Sequence, residues 1–244
     1  LGEEFVSAYL SGDVTKLYTM DALELTKLGN EFVMGKGGGL LWRPCIDGDV
    51  IEKPMDQLFR EQTRGIDILT GCTEYEFLSD YSPEALKEGI SEEEFTRLAD
   101  ALRSDTDTYD ALKKAMPYTT REESLYQYSR LKAAAILSDM KDMASVNAAK
   151  GNKTFVYQFR KYTADPAGIY RSPHSAELPY LFGVVGRGGA FPWIESPWTA
   201  ADFVMMHEVQ TLWSDFVKGN PMKTADGREW KPCGGADEDV MILG

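Results

Sequence analysis

Apolar residues in the first 34 positions recur at three- and four-residue steps: Phe5, Val6 and Tyr9, then Val14, Leu17 and Tyr18, then Leu25 and Leu28. That spacing lines them along helix faces, so residues 1–34 read as helical, with Gly12-Asp13 as a turn followed by an N-cap. GKGGG at 35–39 breaks the pattern as a loop. Leu40, Leu41 and Trp42 then resume as an extended segment leading into an Asp47-Gly48 turn. The short run IDILT at 66–70, β-branched at its start and ended by Gly71, reads as a strand of a buried parallel sheet. From Pro83 to about Gly151 the period is helical. Ser91 and Glu94 form a capping box, and Arg121–Lys150 support one long helix with Leu125, Tyr128, Leu131, Ala135 and Leu137 near one face. Alternation returns at 154–162, where Phe155, Tyr157 and Phe159 face away from Val156, Gln158 and Arg160. A Pro/Gly-rich loop over 164–199 leads to a final amphipathic helix over 200–217, stopped by Gly219, Asn220 and Pro221. Strands separated by helices predict an α/β class with a mainly parallel sheet.

Composition narrows the class. With 244 residues, 43% of them hydrophobic, the chain can build one large core or part of a bigger one. The net charge of −13, with no local Lys/Arg cluster, argues against nucleic-acid binding and is consistent with solubility or with attraction of cationic substrates. Three cysteines, Cys45, Cys72 and Cys233, form neither a disulfide framework nor a CxxC metal or redox motif. No apolar run approaches the ~20 residues of a membrane span. LGEEFVSAYLSGD lacks the basic start and apolar stretch of a signal peptide.

Only two histidines are present, so any histidine-dependent chemistry uses His174 or His207. His207 lies mid-helix, where an imidazole ordinarily packs or faces water. His174 follows Ser172-Pro173 in a loop beyond a strand, where α/β folds place reactive side chains and where a structural histidine would serve equally well. Glu74 and Glu76 both follow the 66–70 strand. Either could orient an imidazole, and both could be solvated loop charges. Phe191, Trp193 and Trp198 could line an acyl or alcohol pocket or staple their loop to the core, whereas Met205, Met206 and Leu212 read as core.

Four segments in order resemble one family. SPHSAELPYLFG around His174 resembles the histidine-bearing segment of the type-B carboxylesterase/cholinesterase family. ILTGCTEYEF resembles its strand and loop carrying the catalytic glutamate, a register that selects Glu76 over Glu74. RPCIDGDVIEKP resembles its Pro-x-x-Asp-Gly segment, and TLWSDFVKGNPM with REWKPC its closing Trp-x-x-Phe, Gly-x-Pro and Trp-x-Pro. The order and approximate spacing hold over 40–233. The resemblance implies that residues 1–244 are the C-terminal portion of a single α/β-hydrolase domain. It implies a catalytic pair of His174 and Glu76, with Glu177 as a nearby hydrogen-bonding partner and no cofactor or metal.

No G-x-S-x-G nucleophile elbow and no Gly-rich oxyanion segment occur in the chain. GKGGG lies after the expected nucleophile, and it lacks the Lys-Ser/Thr ending of a phosphate loop. Half a parallel sheet would also leave an apolar edge. The expected partners are therefore the N-terminal half of the same esterase, as a separate chain or cleaved segment, and a small-molecule carboxylic ester. Failing that, the chain is a truncated product whose edge is capped otherwise. A non-catalytic interaction or scaffold module of the same fold is the alternative expectation.

Overall fold

The structure is a computed structural model that describes residues 1–38, 41–62, 64–102, 107–162, 168–186, 197–236 and 239–244. The chain divides into two compact units, Leu1–Gln62 and Thr63–Gly244.

In the first unit the helical period of residues 1–34 resolves into α1 (Gly2–Tyr9), α2 (Lys16–Thr19) and α3 (Ala22–Gly35), followed by α4 (Met55–Glu61). Asp21 caps α3 by accepting from the amides of Leu23 and Glu24. Phe5, Leu10 and Phe32 are buried together, and Trp42 packs on Phe5 and Phe32 with ring centroids 5.6 Å apart in both pairs. Residues 41–47 form no strand. Asp47 instead folds its carboxylate onto the amides of Asp49, Val50 and Ile51, with Gly48 in the left-handed region.

The second unit runs β1 (Ile68–Thr73), α5 (Pro83–Glu88), α6 (Glu92–Ala101), α7 (Asp107–Ala115), α8 (Ser124–Ala148), β2 (Thr154–Phe159), α9 (Leu178–Leu181), α10 (Ala200–Lys218) and β3 (Met241–Leu243). The three strands form a parallel sheet in the order β1-β2-β3, with Ile68 opposite Thr154 and Tyr157 opposite Met241. This is the expected class, a small parallel sheet with helices, consistent with part of an α/β-hydrolase fold.

β2 is buried on both faces. Val156 packs with Ala144 of α8 and Cys233, while Tyr157 and Phe159 join Val209 and Leu212 of α10 in the main core. That double burial makes β2 a central strand despite the alternation in its sequence. β1 starts and ends later than expected, because Gly71 does not terminate it. Gly71 lies flat beneath Tyr157, where a β-carbon would fall 2.3 Å from the ring. The glycine serves close approach within the strand.

The capping box expected at Ser91 is half formed. Ser91 Oγ accepts from the Glu94 amide, but the Glu94 carboxylate is taken by Arg97. A complete box occurs at Thr199 and Asp202, opening α10. Met205 and Leu212 are buried in the core, Met206 packs against it, and Trp198 meets the Tyr180 ring edge-on. Phe191 and Trp193 lie outside the described residues. None of the three cysteines is in a disulfide; Cys45 is exposed and the other two are buried. Among the described residues no helix is long and apolar enough to cross a membrane.

Candidate active site

β1 and β2 run parallel, so their carboxyl ends reach the same edge of the sheet, and the loops leaving them meet there. Past Thr73 the chain turns sharply. Glu74 bonds through its amide to the Phe159 carbonyl and turns its carboxylate toward Arg130 (3.6 Å). Glu76 folds back, and its Oε1 accepts from both the amide (2.8 Å) and the hydroxyl (3.0 Å) of Thr73. Ser129 of α8 donates its hydroxyl to the Glu76 carbonyl. The residue that follows, Phe77, holds a left-handed backbone at φ 62°, which bulky residues rarely adopt. Strain of that kind persists only where the surroundings enforce it.

The second loop arrives from β2. Ser172 Oγ bonds to the Phe159 carbonyl (2.9 Å), and the Tyr75 amide bonds to the Ser172 carbonyl (3.1 Å). A parallel bridge between Tyr75 and Pro173 completes the junction. His174 then lies beside Glu76, with Nδ1 hydrogen-bonded to Oε2. The imidazole stacks on Phe77, centroids 5.4 Å apart and planes 6° apart. Glu76 is nearly sealed at 7% side-chain exposure, whereas the His174 side chain is 55% exposed. The carboxylate is thus fixed inside while the ring is reachable from outside. Among the described residues Nε2 has no hydrogen-bond partner.

The charges follow from these contacts. Burial pushes the Glu76 carboxyl up, but the hydrogen bonds from His174 and Thr73 outweigh it and leave the group lowered and ionised. The hydrogen bond to Glu76 raises His174 against the opposing effect of burial, and Glu177 and Asp80 add to the rise. With an ionised carboxylate at Nδ1, the ring proton belongs on Nδ1, which leaves the lone pair on Nε2. Such an arrangement can take a proton from a hydroxyl at Nε2 and stabilise the imidazolium that results.

Glu177 lies just beyond His174. Burial raises its carboxyl, Tyr157 Oη donates to one oxygen at 3.4 Å, and among the described residues the buried Oε2 has no partner. Lys132 of α8 holds its ammonium 4.6 Å from the Phe77 ring centroid and 4.8 Å from that of Tyr128, and burial lowers its pKa. His207 stands exposed on α10, 3.1 Å from the Thr211 hydroxyl, as a mid-helix surface residue would. Of the two carboxylates left open by the residues alone, Glu76 meets the imidazole and Glu74 does not. Thr73, Phe77 and Ser129 were not foreseen as site residues. They act through turn geometry and helix register, which leave no composition signal. Among the described residues no group of three or more His, Cys, Asp or Glu is placed to hold a metal.

Comparison with known proteins adds two findings. The model of the carboxylesterase family matches residues 11–244. A Caenorhabditis elegans protein named Esterase cest-33 is 26% identical over 219 residues, covering 80% of this chain and 37% of that protein. The chain therefore spans little more than a third of the length of the curated relative it matches.

Proposed function

The chain belongs to the carboxylesterase family, and from that premise we propose that it supplies the acid and the base of an ester-hydrolysing triad whose serine lies outside these 244 residues. The observation that carries this reading is the Glu76–His174 contact, on a ring more than half exposed whose Nε2 has no hydrogen-bond partner among the described residues. A serine Oγ–H placed at Nε2 gives up its proton as the oxygen attacks the ester carbonyl. Glu76 stabilises the imidazolium and holds its tautomer, and His174 then returns the proton to the departing alcohol. Water repeats the sequence on the acyl-serine and releases the carboxylic acid. Backbone amides for the oxyanion would come from the same missing portion as the serine. No cofactor enters this scheme.

The partners that follow are the N-terminal half of the esterase, as preceding polypeptide or separate chain, and a small-molecule carboxylic ester. Residues 1–244 would then be the C-terminal part of one hydrolase domain. Three observations support an outside contribution. No G-x-S-x-G occurs in the sequence, the chain covers 37% of its relative, and among the described residues β1 pairs only with β2. An additional parallel strand on β1 would remove that edge. A scaffold module would have no use for a sealed carboxylate aimed at an accessible imidazole, which disfavours the non-catalytic alternative.

The test is hydrolysis of p-nitrophenyl acetate by the 244-residue chain with and without the upstream half. The chain alone should match the buffer rate. Adding the upstream half should give turnover that His174→Ala abolishes. Robust turnover by the chain alone, lost on His174→Ala, would contradict the assignment of the nucleophile.

A further inference from the structure

Glu76 and His174 stand 98 positions apart in sequence on separate loops, and a triad works only if such loops are held to within a fraction of an ångström. One contact beneath the pair is built to do that. Arg171, three residues before His174, donates Nη1–H to the hydroxyl of Tyr75 (2.9 Å), the residue before Glu76. Nη2 donates to both carboxylate oxygens of Glu123 at the start of α8 (3.1 and 3.2 Å). The guanidinium lies 3.9 Å from the ring centroid of Tyr126 and 5.1 Å from that of Tyr75. The Tyr75 hydroxyl also meets the hydroxyl of Tyr162, just past β2, at 3.2 Å. One head group therefore joins the histidine loop, the glutamate loop and α8.

The backbone points the same way. Arg171 has φ 51°, a left-handed conformation that glycine or asparagine holds at less cost than a long side chain. An arginine there is present for its guanidinium, which fits a planar, multidentate site.

We propose that Arg171 and Tyr75 form a clamp that fixes the imidazole of His174 against Glu76, making Arg171 a positioning residue for the hydrolysis. The inference rests on the reading of Glu76 and His174 as a working pair and deepens it.

The test needs no serine. The chain has two histidines, so the His174 ring signal can be assigned and its pH titration followed by NMR. The parent should show a raised His174 midpoint, because Glu76 bonds to its Nδ1. Arg171→Asn tolerates the left-handed backbone and removes the guanidinium, and Tyr75→Phe removes one hydroxyl without changing charge. Each variant should bring the His174 midpoint down toward that of a free imidazole. Deleting a cation would by itself favour the imidazolium and move the midpoint up, so a fall reports a loosened pair. In the assembled esterase kcat should drop about ten- to a hundredfold with KM little changed, as small misplacements do. A raised parent midpoint that both variants leave in place would overturn the clamp alone. An ordinary midpoint in the parent would overturn the Glu76–His174 pair and the clamp with it. If Arg171→Asn fails to fold, Tyr75→Phe alone decides.

Discussion

Asp202 offers the sharpest check on how the histidine loop is anchored. Its buried carboxylate accepts from the Thr199 amide (2.8 Å), the Thr199 hydroxyl (2.7 Å) and the Tyr180 hydroxyl (2.8 Å), and it pairs with Lys161 (3.0 Å). It ties together the start of α10, the helix after His174 and the end of β2. Burial alone would push this group up, but the donors outweigh burial and hold it at about 2, against 3.8 in the unfolded chain. That depression corresponds to about 2 kcal/mol of folding stability. Because the folded value is depressed, that stability is fully present above pH 4 and is lost as the pH falls through 4 toward 2. Asp202→Asn keeps the shape and removes the charge. Urea unfolding of parent and variant should show the parent more stable at pH 7, with the gap narrowing by about 2 kcal/mol on acidification to pH 2. A gap that stays constant across that range would refute the reasoning, since it would mean the carboxylate's charge contributes nothing in the fold.

Gly71→Ala would set a methyl 2.3 to 2.5 Å from three atoms of the Tyr157 ring, which is confined by Trp213 and Trp230. Overpacking of this kind costs about 1–3 kcal/mol, visible as a lower urea midpoint, and an unchanged midpoint would show that the ring can step aside. Glu76→Gln can keep accepting from Thr73 while turning its NH2 toward Nδ1, which drives the ring proton to Nε2 and leaves no lone pair for the serine. In the assembled esterase kcat should fall ~10⁴-fold, the scale known for the equivalent change in a serine triad. If His174 is the base as proposed, its raised pKa should set the acidic limb of the parent's rate profile, because the base must be neutral to act. The residual activity of Glu76→Gln should therefore have its acidic limb at lower pH, and a limb left in place would count against the pair.

Much of this was legible in the chain. β2 and α10 lie within a few residues of their expected positions, because an aromatic, β-branched run and a left-handed Gly219 (φ 70°) mark their limits clearly. Among the described residues the helical stretch from Pro83 holds four helices, of which the cap at Ser91 and the long helix after Arg121 were marked in the sequence, since periodicity reports a face and says little about the other interruptions. The box at Thr199–Asp202 is written in the sequence as a T-x-x-D signal. Residue chemistry could not choose between Glu74 and Glu76, which are two apart and share a strand face in an extended chain. The choice is made by the turn after Thr73, where the carboxylate of Glu76 finds the Thr73 amide and that of Glu74 finds Arg130. That turn depends on a left-handed Phe77 and on Ser129, 53 residues away, which no local pattern encodes. The Arg171–Tyr75 contact was hidden for the same reason: its partners meet only when two parallel strands end together.

The measurement that bears most directly on the central claim is fluorophosphonate labelling of the assembled protein, with the modified residue located by mass spectrometry. The account predicts one labelled serine outside residues 1–244, and no label once His174 is replaced by alanine. A label on a residue within the 244, or labelling that persists without His174, would contradict it.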